Sequence, residues 1–117
     1  MKTITLPDGD YSAEVIDTSI MSTPSGEIGL IWVLKVIKPV RLKGVDLAKI
    51  TRLDPDDPGT FEAATAELGL CGLSAKQIYE GDVPRLLKGL HLQIRYKAAN
   101  EATGSLEAVQ ILAKIAP

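Results

Sequence analysis

Apolar and polar side chains alternate with a period of two along most of this chain, and the period breaks in one place only, between residues 54 and 88. Successive side chains of an extended backbone point to opposite faces, so a period of two means strands, and the break means a helical interruption. Over residues 9–21, Tyr11, Ala13 and Val15 alternate with Ser12 and Glu14, which predicts a half-buried first strand. Thr23, Pro24, Ser25 and Gly26 supply a turn. Residues 28–37 are apolar on both parities and read as a central strand. Leu30, Trp32, Leu34 and Val36 lie on one face and Ile31, Val33, Lys35 and Ile37 on the other, until Pro39 ends the run. After Leu42-Lys43-Gly44, a third strand is predicted over 45–53.

The segment that follows has different grammar. Asp54-Pro55-Asp56-Asp57-Pro58-Gly59 is turn chemistry, with Asp57 suited to a helix N-cap and Pro58 to the first helical position. Phe61, Ala64, Leu68 and Cys71 recur at helical spacing and define an inward stripe, Glu62 stands in the first turn, and Gly69 or Gly72 closes the end. Residues 74–79 and 83–88 add single helical turns. Alternation then returns in Leu90-His91-Leu92-Gln93-Ile94-Arg95-Tyr96-Lys97. A loop over 100–104 leads to a last strand over 106–115, with Val109, Ile111, Ala113 and Ile115 on one face.

Three strands, a helical insert and two more strands is the order of a mainly β, five-stranded antiparallel OB-type barrel with one helix between strands three and four. A small β-sandwich is the alternative. The inward set comprises Tyr11, Val15, Trp32, Leu34, Val36, Leu68, Leu92, Ile94, Val109 and Ile111. Phe61 and Tyr96 also fall on core-facing positions, which leaves few aromatic rings for a surface.

With 117 residues, 45% of them hydrophobic and 24% charged, the chain has material for one domain over 1–117 and one core. Cys71 is its one cysteine, and MKTITLPDGD lacks the apolar stretch of a signal peptide, so a cytoplasmic setting is expected. Nothing approaches the run of about eighteen apolar residues that a membrane helix needs.

A net charge of -2 excludes binding of polyanions by bulk charge, so a nucleic-acid site has to be local. The charges are segregated. Between residues 35 and 52 stand six basic side chains (Lys35, Lys38, Arg41, Lys43, Lys49, Arg52) against Asp46 alone. Between 85 and 97 stand Arg85, Lys88, Arg95 and Lys97, with His91 and no acid. Between 54 and 67 the reverse holds, with five acids and no base. Such segregation fits either a solvated surface or a one-sided binding face.

Several short motifs, in order along nearly the whole chain, resemble one family. Leu6-Pro7-Asp8-Gly9-Asp10-Tyr11 with Ala13, Glu14 and Val15 is similar to its opening pattern. Leu30, Trp32, Leu34, Lys35 and Val36, then Leu42-Lys43-Gly44, resemble its second strand and the turn after it. The helical run 61–73, Leu86-Leu87-Lys88-Gly89 with the strand that follows, and the closing Ala113-Lys114-Ile115-Ala116-Pro117 resemble the remainder. The family is that of small phage-encoded proteins of unknown function grouped with single-stranded-DNA-binding proteins. The resemblance implies an OB-like fold and a non-catalytic, sequence-tolerant role in phage-type DNA replication or recombination, alongside other replication or recombination proteins. Leu42 and Ile115-Ala116 depart from the pattern where the family carries tyrosine. Both departures remove a ring on which a base would stack, so binding would depend on phosphate contacts and be salt-sensitive, unless homo-oligomers multiply the sites.

The expected interface is Lys35, Lys43, Lys49, Arg52, Arg95 and Lys97, brought together by closure of the barrel. No catalytic, cofactor-binding or metal site is expected. Cys71 lies on an apolar helical stripe and reads as a buried structural thiol rather than a partner of His91. Asp54, Asp56 and Asp57 lack calcium-loop spacing and are explained as turn and cap. The alternative function is a small protein-interaction module of a phage or prophage without nucleic-acid binding, using the acidic segment and the outward Ile31, Val33 and Ile37.

Overall fold

The computed structural model describes residues 6–22, 24, 26, 28–53, 56–100, 102–104 and 106–116. Thr23, Ser25, Asp54, Pro55 and Pro117, which figure in the motifs above, lie outside these residues.

Five antiparallel strands form one sheet: β1 (Gly9–Ser22), β2 (Ile28–Lys38), β3 (Asp46–Leu53), β4 (His91–Lys97) and β5 (Ala108–Ile115). Their spatial order is β3-β2-β1-β4-β5. A single sheet replaces the two stacked sheets of the sandwich alternative. The closed barrel is also corrected: β3 and β5 are the two edges, and no backbone ladder joins them. The last strand begins at Ala108 rather than at residue 106, and Leu106 is exposed.

β1 is the spine of the sheet. Its first half is paired on both sides, with β4 from Gly9 to Glu14 and with β2 from Ser12 onward, and its second half pairs with β2 alone. Register shifts at Ser12/Ala13 and Val15/Asp17 place extra residues in this ladder. Such bulges bend a strand and increase its twist, which curls the sheet and carries β3 toward β5.

All ten residues of the predicted inward set are buried, Trp32 completely. Burying a tryptophan so thoroughly makes it a large single contributor, since truncation of such a residue costs about 3–5 kcal/mol. One register shift alters the pattern in β5. Between Gln93 and Ile94 the pairing skips a residue, so Val109 and Ile111 face inward while Ala113 is turned out to solvent.

Between β3 and β4 the chain makes three helices, rather than one with stray turns: α1 (Pro58–Leu70), α2 (Ala75–Glu80) and α3 (Val83–Leu87). Asp57 caps α1, its carboxylate accepting from Gly59 N at 3.0 Å, with Pro58 at the first position. Gly72, at φ 88°, reverses the chain after α1 in a backbone region that other residues enter only at a cost. Ser74 and Gln77 form a reciprocal capping box on α2. α1 lies against both β3 and β5, so Leu68 and Cys71 plug the side of the curled sheet that backbone pairing leaves open.

The inward stripe of α1 is narrower than its sequence spacing suggests. Ala64, Leu68 and, just past the helix, Cys71 are buried, but Phe61 is 43% exposed. It stacks on Tyr79 of α2, ring centroids 6.4 Å apart and planes 14° from parallel.

Candidate nucleic-acid interface

Of the predicted site residues, Lys35, Arg52, Arg95 and Lys97 stand on the outward face of the sheet and Lys43 in the turn before β3, whereas Lys49 stands on the inner face, opposite Trp32. Ala13 and Val15 are buried, so Glu14 between them turns outward; on β2 the same logic turns out Val33 and Lys35. Cross-strand register then lays out the rows: Asp46, Lys35, Glu14 and His91 across β3, β2, β1 and β4, and beyond them the pair Asp10 and Arg95. The two basic stretches therefore share one face because β1 pairs with both β2 and β4. Adjacency does not need barrel closure. Lys35 and Arg95 stand on strands two spacings apart, about 10 Å laterally.

The six expected cations are not equivalent. Lys35 Nζ sits 3.8 Å from Asp46 in an exposed pair of the kind worth little in water. Arg95 donates from Nε to Asp10 Oδ1 at 2.9 Å and from a terminal nitrogen to Oδ2 at 3.4 Å. That hydrogen bond holds the Asp10 carboxyl below the usual carboxylate range and raises Arg95 further. Lys43, in the turn before β3, and Lys97, at the end of β4, are exposed and have no ion pair among the described residues. Arg52 is exposed at the far end of β3, opposite Gly29. Six residues of register separate it from the Lys35 row, a distance of about 20 Å.

Lys49 is the exception. Its side chain is only 13% exposed, and its ammonium group lies 2.9 Å from Glu67 Oε2 and donates to the Val109 carbonyl at 2.9 Å. Glu67 also accepts from the Thr51 hydroxyl, which in turn accepts from Trp32 Nε1 at 2.9 Å. This chain of bonds links β2, β3, α1 and β5 and pins the two edge strands together where the backbone ladder fails. Lys49 is thus a structural cation, and a phosphate could reach it only by breaking the pin. Register separates Lys49 from Lys35: Lys49 stands opposite the buried Trp32 and shares the parity of the buried Leu47 and Thr51, so it points to the inner face, whereas Lys35 pairs with Asp46 on the outer one.

Between Lys35 and Arg52 the outward face of β2 and β3 is aliphatic. Val33 stands opposite Ala48 and Ile31 opposite Ile50, with Val33 and Ile50 exposed. The result is a strip of branched side chains with a cation at each end, bordered by β1 with its carboxylates Asp10, Glu14 and Asp17.

The rings lie elsewhere. Tyr11 donates to the Pro7 carbonyl at 2.5 Å and Tyr96 to Glu107 Oε2 at 2.8 Å, and both are buried. Burial, with the Glu107 carboxylate beside it, pushes the Tyr96 hydroxyl up to about 12. Cys71 is likewise pushed up to about 12, chiefly by burial and then by Glu67, so its thiol is protonated and a poor nucleophile at neutral pH.

The structure also exposes a feature that sequence reasoning missed. At the end of the sheet distant from Lys35, a groove of about 130 Å³ opens between β1, β2 and the three helices, lined by Ile20, Leu30, Phe61, Leu68, Tyr79 and Val83 among others. The exposed Phe61–Tyr79 stack forms one wall. Assigning Phe61 to the core hid it.

No protein-family model matches this chain, and no curated protein matches it.

Proposed function

We propose that this protein binds single-stranded DNA without sequence preference and without catalysis, in phage-type DNA replication or recombination, as the motif resemblance implies. The observation that carries the reading is the outward face of β2 and β3, an aliphatic strip with Lys35 at one end and Arg52 at the other. An open five-stranded antiparallel sheet with helices between β3 and β4 supports an OB-like reading, and OB folds bind oligonucleotides on the face of strands two and three. On this reading the backbone of the strand runs along Lys35, Lys43, Arg52, Arg95 and Lys97, and bases lie over Ile31, Val33 and Ile50. Asp10, Glu14 and Asp17 on the neighbouring strand keep the affinity modest.

The test is a salt series with a fluorescent oligothymidylate. Log affinity should fall linearly with log salt, each phosphate contact adding roughly 0.7 to the slope for single strands. Replacing Arg95 and Lys97 together by alanine should weaken all oligonucleotides about equally and flatten the slope. No binding at low salt, or a double variant that binds as the parent does, overturns the reading. The alternative is then a protein-interaction module, a reading favoured by the exposed Val33 and Ile50, which a protein surface would cover as readily as bases would.

A further inference from the structure

The groove beside Phe61 and Tyr79 has the wrong size and charge for a nucleic acid or a drug-sized ligand. About 130 Å³ is less than the ~300 Å³ at which small-molecule pockets begin, and close to the ~150 Å³ that holds one benzene-sized group. It takes a single apolar side chain. Its walls are mostly carbon, and among the described residues the exposed charged ones next in sequence to a lining residue are three acids, Glu62, Glu80 and Asp82, against one base, Arg52, so its surroundings are net negative. Such surroundings repel phosphate and favour an apolar side chain flanked by cations.

This chain carries such a side chain. Val40, in the 3-10 turn Val40–Leu42, is 77% exposed, and Lys38, Arg41 and Lys43 stand around it in sequence, all exposed. Among the described residues, Leu106 is the other strongly exposed aliphatic residue on a connection, but its neighbour Glu107 is acidic and would meet the groove's acids with like charge. The Val40 turn follows the end of β2, whereas Leu30 lines the groove near the start of that strand. Eight strand residues separate Leu30 from Lys38, about 26 Å, so knob and groove cannot meet within one molecule.

We infer that the Val40 turn of one copy docks into the Phe61–Tyr79 groove of a second copy, with Lys38, Arg41 and Lys43 against Glu62, Glu80 and Asp82. The contact joins unlike surfaces, so it propagates head to tail and generates a ring or an open filament rather than a two-fold dimer. Its footprint is small, so self-association is weak, concentration-dependent and reduced by salt. This inference does not depend on DNA binding.

Sedimentation equilibrium without DNA tests it. The parent should show a mass rising with concentration above the 12.5 kDa monomer. Val40→Glu and Phe61→Asp should each weaken self-association at least roughly tenfold, as removal of an anchor does. Both positions are exposed, so thermal melts should confirm that the variants fold. The deciding sample is the mixture: Phe61→Asp keeps a knob and Val40→Glu keeps a groove, so together they should form a one-to-one pair that grows no further. A parent that stays monomeric at millimolar concentration overturns the inference, as do variants that still associate. Two monomeric variants that fail to pair when mixed also overturn it. If Phe61→Asp instead abolishes oligonucleotide binding in a monomeric protein, the groove is a base platform and the inference is wrong.

Discussion

The outward sheet face and the helical groove are both exposed, yet they are opposites. On β2 and β3 a short aliphatic strip is bounded by Lys35 and Arg52, with Arg95 two strands away from Lys35. In the groove, the lining is aliphatic and aromatic carbon, and its exposed charged sequence neighbours among the described residues are Glu62, Glu80 and Asp82 against Arg52. A molecule of net charge -2 thus presents one surface suited to anions and another suited to cations. Net charge alone describes neither. The two surfaces are held in fixed relation by the Trp32–Thr51–Glu67–Lys49 chain of bonds, which ties the sheet to α1 beneath them.

The largest effect should come from cutting that tie. Lys49→Met leaves the mostly buried Glu67 carboxylate without its ion partner, and removing one member of such a pair costs about 3 kcal/mol. Urea unfolding should show this loss, and Lys49→Met combined with Glu67→Gln should recover part of it. Oligonucleotide affinity of folded Lys49→Met should equal the parent's, while the Arg95 and Lys97 double alanine variant should show the converse. A Lys49→Met protein as stable as the parent would mean that the pin contributes nothing and that Lys49 belongs with the exposed cations.

A pH series probes the interior alone. Cys71 is raised from 9.0 and Tyr96 from 10.0, each to about 12, so the folded state holds protons that the unfolded chain releases. Their contribution is complete below the unfolded values and is lost as pH rises through the folded ones. Stability should fall from about pH 9 toward 12, and Cys71→Ala should flatten the first part of that fall. Stability constant over this window would contradict the burial of both groups.

The smallest expected effect sharpens the outward face. Asp10→Asn removes the carboxylate that engages Arg95 and should raise oligonucleotide affinity by roughly two- to threefold at low salt, with the gain vanishing at high salt. No change would place Arg95 outside the binding track. Thermal stability should barely move, because the pair is exposed.

Most of the scaffold was legible in the sequence because alternation reports burial directly. Tyr11, Trp32, Leu92 and Val109 face inward as their spacing requires, and Asp57 with Pro58 marks where α1 begins. The paired faces of β1, β2 and β4 follow from the same rule, since a slip of one residue would bury the charges. Where a backbone is regular, side-chain direction is a local property, and sequence suffices.

Tertiary structure decided what depends on where regular elements stop and how they curl. Bulges in β1 and β5 reset the alternation at Asp17 and Ala113, and no residue type announces them. Phe61 keeps helical spacing with Ala64 and Leu68 but is half-exposed and stacked on Tyr79, so it builds a groove instead of a core. Lys49 has the inner parity of β3, opposite Trp32, and becomes a buried tie because Glu67 of α1 and the Val109 carbonyl meet it there, while Lys35 on the outer parity stays on the surface. Periodicity fixes which way a side chain points relative to its own strand, whereas burial and charge pairing depend on what arrives from elsewhere in the chain.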